Sequence, residues 1–192
     1  MQILLALSRL IDRCNLLIGK LMIWLIFAAV MISAGNALAR KLFSLSSNAW
    51  LELQWYLYAA AFMLAAGATF LQNGHVRIDV LAARLSARTR TIIDIAGITL
   101  FLLPLCYFMI RFSWPMVSRA YVSGEMSSSA GGLIRWPVYA MLPAGFLLLG
   151  LQSVSELIKR IGFLCGLCTN PLERPNEDAQ TAAEKEVARG HP

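Results

Sequence analysis

LMIWLIFAAVMISAGNALA, residues Leu21 to Ala39, runs nineteen residues without a charge, and its reading decides the fold. A helix of that length rises about 28 Å, close to the ~30 Å hydrocarbon core of a bilayer. A cleaved signal peptide is the competing reading, because Ala37-Leu38-Ala39 has the form of a cleavage site. Signal-peptide apolar cores run about 7–15 residues, so an uncleaved span is expected. Three further stretches have the same character: Leu53 to Leu71, Thr91 to Ile110 (with Asp94 near its start), and Trp136 to Ser155. Backbone polar groups in lipid are satisfied within a helix or a closed barrel. Barrel strands would alternate over about ten residues, and these stretches do not. The composition agrees, with 58% hydrophobic and 15% charged residues against about 25% charged in soluble domains. Four cysteines in 192 residues are ordinary usage and exclude a secreted disulfide scaffold. The expected fold is all-α: an integral membrane four-helix bundle with spans at about 17–39, 53–72, 91–112 and 136–157.

Basic residues orient the bundle. Arg9, Arg13, Lys20, Arg77, Arg84, Arg88, Arg90, Lys159 and Arg160 flank one side, and Arg40, Lys41, Arg111, Arg119 and Arg135 the other. Cytoplasmic flanks carry the excess of Lys and Arg, which puts both termini in the cytoplasm. Two amphipathic segments, about 2–14 and 76–90, are expected to lie in the membrane interface. In the first, Ile3, Leu4, Leu7, Leu10, Ile11 and Cys14 share one face, and Gln2, Arg9, Asp12 and Arg13 the other. In the second, Arg77, Arg84 and Arg88 form a stripe beside Ile78, Leu81 and Leu85. The connection from Arg119 to Arg135 is rich in Ser and Gly and reads as a small, flexible extracytoplasmic turn. Residues 163–192 form a polar tail, expected to be disordered from Thr169 onward. Trp50, Trp55, Trp114 and Trp136 stand at span ends, where aromatic belts form.

Catalytic chemistry is hard to build from this chain. His75 and His191 are its two histidines, so no bis-histidine haem fits within the spans. No spacing of His, Cys, Asp and Glu matches a zinc site, and no cofactor is expected. No span carries an ionisable residue at its centre, where a proton or ion relay would need one. Cys165-Gly166-Leu167-Cys168 is the one redox-shaped motif. It supports the alternative of a four-span membrane thiol–disulfide oxidoreductase, but the charge count places it on the reducing cytoplasmic side. Small-residue stripes are plentiful: Ala29, Ser33 and Ala37 with Asn36 beside them, then Ala61, Ala65, Ala68 and Thr69 with Gly67 adjacent. Such stripes let helices approach closely, within the bundle or against another membrane subunit.

Several ordered motifs resemble one family. Asn36 to Arg40 has the pattern Asn-x-x-x-Arg, Trp50-Leu51-Glu52 opens the second span, and Gly74-His75-Val76-Arg77-Ile78-Asp79 follows it. Trp136-Pro137 and Pro143-Ala144-Gly145-Phe146 mark the fourth span. Over residues 15–160 the chain resembles the small membrane (Q, DctQ-like) subunit of a tripartite ATP-independent periplasmic (TRAP) transporter. Many members have two acids where this chain has Glu52-Leu53. The runs Asn48 to Tyr56, Gly124 to Ser127 and Gly131 to Pro137 resemble the mannitol, chloroaromatic or 2-oxo acid branch. The resemblance implies a non-catalytic inner-membrane subunit of a sodium-coupled transporter for an organic acid or related small solute. Its implied partners are a large elevator-type membrane subunit, a periplasmic substrate-binding protein and membrane lipid, with no nucleic acid. Candidate interface or bracing residues are Asn36, Arg40 and Glu52 at the extracytoplasmic edge, and His75, Arg77 and Asp79 at the cytoplasmic one.

Overall fold

The computed structural model describes residues 2–44, 47–72 and 86–166. Among them the elements are helical: α1 (Gln2–Phe43), α2 (Asn48–Leu71), α3 (Ala87–Gly97), a π segment (Ile98–Leu102), α4 (Leu103–Ser123) and α5 (Trp136–Leu164). Helix α3, the π segment and α4 follow one another without a break, so four rods result. Each rod is long and apolar enough to cross a membrane. Helices α1, α2 and α5 pack on one another, and the α3–α4 rod lies against α5.

Helix α1 corrects one expectation. Segment 2–14 is continuous with the first span, in a single helix of 42 residues, and not a separate interfacial helix. Its apolar residues Ile3, Leu4, Leu7 and Leu10 do point outward, while Ser8 and Asn15 are buried in the bundle. Asp12, expected on the solvent-facing side, bonds to α5 instead. The site Ala37-Leu38-Ala39 lies inside this helix. The other proposed interfacial segment, with His75, Arg77 and Asp79, falls outside the described residues except for its last few. There Ser86 caps α3, its hydroxyl accepting from the Thr89 N–H at 3.2 Å. The tail beyond Gly166 and Cys168 also lie outside them.

The π segment has a covalent cause. Pro104 has no N–H to offer the carbonyl four residues back, and the Leu103 N–H reaches five residues back to Ile98. The chain widens by one residue there and the rod continues to Ser123.

The middle of the bundle is built from small side chains. Ala29, Ala60, Ala61, Ala68, Cys106 and Ala120 are buried, whereas Phe62, Phe101, Phe112 and Trp55 face outward. This is inside-out relative to a soluble core, where large apolar residues are buried. It is the arrangement expected when lipid supplies the apolar surroundings and helices associate by close approach. Gly145 of α5 sits against the Met63 backbone, and a Cβ there would lie 2.6 Å from the Met63 carbonyl oxygen. Gly67 of α2 sits against the Asn15 side chain and the Leu148 carbonyl. Replacing Gly145 with valine forces a backbone shift of the kind that costs about 1–3 kcal/mol. The purified variant is therefore expected to lose several degrees in thermal stability in detergent, measured beside Gly35→Val, whose added Cβ would meet nothing within 4 Å.

Candidate functional site

Two polar clusters brace the bundle, one at each end. At the end where α1 begins and α5 finishes, α1 presents Ser8, Asp12 and Asn15, spaced four and three residues apart and so sharing one helical face. Opposite them α5 presents Gln152, Ser155, Glu156, Lys159 and Arg160 at the same periodicity. The Ser8 hydroxyl lies 2.7 Å from that of Ser155, and Ser155 donates to Asp12 Oδ1 at 2.7 Å. Gln152 Nε2 donates to the same oxygen at 2.8 Å, while its Oε1 accepts from Asn15 Nδ2 at 2.9 Å. Lys159 Nζ bridges Asp12 Oδ2, at 3.1 Å, and Glu156. Arg160 pairs with Glu156 and reaches Asp94 of α3, its Nε 3.4 Å from Oδ2. The cluster thus ties three of the four rods together.

Burial makes the pairing obligatory. Arg160 is only 1% exposed and Glu156 4%. A buried ion pair roughly breaks even against apolar packing, but removing one partner strands the other at a cost of about 3–5 kcal/mol. Among the described residues one buried side-chain atom, Asn15 Oδ1, has no hydrogen-bond partner. It faces the Gly67 Cα, where a weak Cα–H···O contact of the kind common between packed helices is available.

At the opposite end α2 presents Asn48, Glu52 and Tyr56, four residues apart, and all three hold the connection between α4 and α5. Asn48 Nδ2 donates to the Ala130 carbonyl at 3.1 Å, and the Tyr56 hydroxyl to that of Ile134 at 3.1 Å. Glu52 accepts from the Ser127 hydroxyl and, at 2.7 Å, from the Leu133 N–H. The connection also holds itself. Ser127 and Arg135 donate from their backbone N–H groups to the carbonyls of Leu133 and Glu125, and Met126 bridges Ile134. Arg135 pairs with Glu125 at 3.2 Å, and this bond, with a second to Tyr139, holds the guanidinium pKa above its ordinary value. Gly124 leaves α4 with a φ of 62°, and a Cβ on Gly132 would lie 2.5 Å from that of Ser127. The expected flexible turn is therefore a pinned loop.

Glu52 is one predicted site residue that the structure gives a clear task. It lies in the second turn of α2, which begins five residues before the expected span, and its partners belong to its own chain. Among the described residues no hydrogen bond or ion pair joins it to Asn36 or Arg40. Asn36 instead lines a groove of about 450 Å³ with Met31, Ile32, Gly35, Ala39 and Trp50, and Arg40 is exposed. The terminal cluster was missed. Lys159 and Arg160 were counted only as flanking charges, although a polar stripe at helical spacing within an apolar run was there to be read. Cys14 and Cys165 are exposed and Cys106 is buried. Among the described residues no group of three His, Cys, Asp or Glu side chains is placed to hold a metal ion.

The geometry defines a four-span membrane bundle whose polar groups serve to fasten its own helices. Residues 29–162 match the family of tripartite ATP-independent periplasmic transporters, DctQ component. The chain belongs to that family and is the small membrane subunit of such a transporter, a membership that implies the transporter's other components as partners. No curated protein and no solved structure matches it.

Arg160→Leu takes away the guanidinium that Glu156 and Asp94 share, leaving Glu156 with Lys159, and is expected to lower stability by up to about 3–5 kcal/mol. The double variant Glu156→Gln with Arg160→Leu should recover part of that loss, and thermal melts of the three proteins measure the coupling.

Proposed function

We propose that this chain is the stationary scaffold subunit of a sodium-coupled TRAP transporter in a bacterial inner membrane, carrying an organic acid or related small solute. The observation that carries the reading is the fastening of the bundle at both ends. The terminal cluster joins α1, α3 and α5, and Glu52 joins α2 to the loop before α5. Sliding one helix past another would break part-buried charge-assisted bonds between helices, of a kind worth up to about 1.5–3 kcal/mol each. A rigid body of this kind suits the fixed part of an elevator, against which a large subunit moves its transport domain. Family membership supplies the partner class.

Nine basic flanking residues against five support cytoplasmic termini. The pinned loop then faces the side from which a periplasmic binding protein arrives. Its Met126 and Ile134 side chains are exposed on a backbone already ordered by α2. Preordering removes an entropy cost of about 1–2 kcal/mol per residue that docking would otherwise incur. On this reading Glu52 acts through the loop it holds, while Asn36 and Arg40, and beyond the described residues His75, Arg77 and Asp79, serve contact or bracing.

Glu52→Ala is expected to leave helix content and recovery of the membrane complex intact. Hydrogen exchange at residues 127–133 should rise by about an order of magnitude, and the concentration of loaded binding protein needed for half-maximal uptake in vesicles should rise severalfold. Unchanged uptake despite faster exchange would separate the loop from docking. If the chain were recovered from its membrane without a large multi-span partner, the scaffold reading would fail as a whole.

A further inference from the structure

We infer that the cavity beside the π segment binds the headgroup of an amine-bearing phospholipid. The cavity, about 340 Å³, lies between the end of α2, the α3–π segment and α5. Phe70, Ile93, Ile98 and Leu102 make most of its wall apolar, while Asp94 and Arg160 supply its charge. The space beside Gly97 is open, since a Cβ there would meet nothing within 4 Å. Such a wall, apolar with a few placed polar groups, is the usual form of a small-molecule site.

The polar groups specify the ligand. Arg160 is almost wholly buried, whereas the Asp94 side chain keeps 20% exposure, so the carboxylate is the group a ligand meets. Arg160 fixes it from within. A carboxylate has about four acceptor positions, and an ammonium is accommodated beside the partners Asp94 already has. A purely anionic headgroup would face Asp94 and, behind it, Glu156, whose charge is shared by Arg160 and Lys159. A quaternary ammonium has no N–H to donate. A primary ammonium on a phosphodiester satisfies both conditions.

Depth agrees with a lipid as the source. The rod from Arg88 to Ser123 has 36 residues and is about 54 Å long. Centred on a ~30 Å hydrocarbon core, it projects about 12 Å at each end. Asp94 lies about 9 Å from Arg88 along the axis, near the headgroup boundary, and the apolar wall faces the acyl region.

The test uses the full-length chain, stripped of lipid and returned to nanodiscs of phosphatidylcholine containing either phosphatidylethanolamine or phosphatidylglycerol. Native mass spectrometry reads the retained lipid, and the thermal midpoint reads its effect. Phosphatidylethanolamine should be retained about tenfold more than either other lipid, the discrimination expected from one charge-assisted hydrogen bond, and should raise the midpoint. Gly97→Leu, whose Cβ has room and whose side chain occupies the cavity, should abolish that preference while keeping helix content. Asp94→Asn should abolish it with the cavity still open. Equal retention of the three lipids, or an unchanged preference in Gly97→Leu, would overturn the inference. Stabilisation by soluble O-phosphoethanolamine equal to that by the lipid would overturn the lipid as ligand.

Discussion

A guanidinium inside a membrane bundle needs a carboxylate beside it, and Arg160 of this chain has two. An ion buried between helices without a partner pays a desolvation penalty of several kcal/mol. Only a geometry that brings Glu156, Asp94 and, through Lys159, Asp12 to the same place avoids that cost. The requirement reaches three rods. It sets the register of α1 on α5, because a one-residue rotation would turn Asp12 away from Ser155 and Lys159. It also brings α3 close enough for Asp94 to touch α5. Buried ion pairs add little net stability against apolar packing, so the cluster's contribution is selection of one helix arrangement among several that small-residue packing would allow.

The rest of the structure follows from the same environment. Lipid surrounds the bundle with apolar matter, so large side chains gain nothing by moving inward, and Phe62, Phe101 and Phe112 stay outside. Alanine, glycine and serine make up much of the interior, with Met22 and Ile98 its larger apolar side chains, and allow helix backbones into near contact. Gly145 against Met63, Gly19 against Ala68 and Gly67 against Asn15 are approaches of this kind. Polar fasteners then occupy the two ends, where water is near enough to solvate their outer atoms. The centre carries packing and the ends carry specificity.

This division bears on function through rigidity. A subunit that transported alone would need polar groups at mid-membrane and a hinge between bundles. The described residues instead form rods tied at both ends, with Glu52 ordering a loop that a flexible composition would have left loose. The π segment widens the third rod by one residue just before Pro104, while Pro115 and Pro143 lie within α4 and α5. Beside the π segment lies a cavity bordered by Asp94, which Arg160 pairs.

Four spans, their helical nature and the family were legible in the sequence, because each rests on local information. Apolar run length against bilayer thickness gives the spans, and ordered short motifs give the family. Glu52 was legible as a site residue, but its partners were not, since Ser127 and Leu133 lie some eighty residues away and no local rule pairs them. The inward aim of Asp12, Lys159 and Arg160 was misread for a related reason. A polar stripe on an amphipathic helix faces water in one setting and a neighbouring helix in another, and periodicity is identical in both. Residue spacing therefore determined which side chains share a face. Only the packing of α1, α3 and α5 decided what that face meets, because burial of a charge is settled by the other helices that surround it.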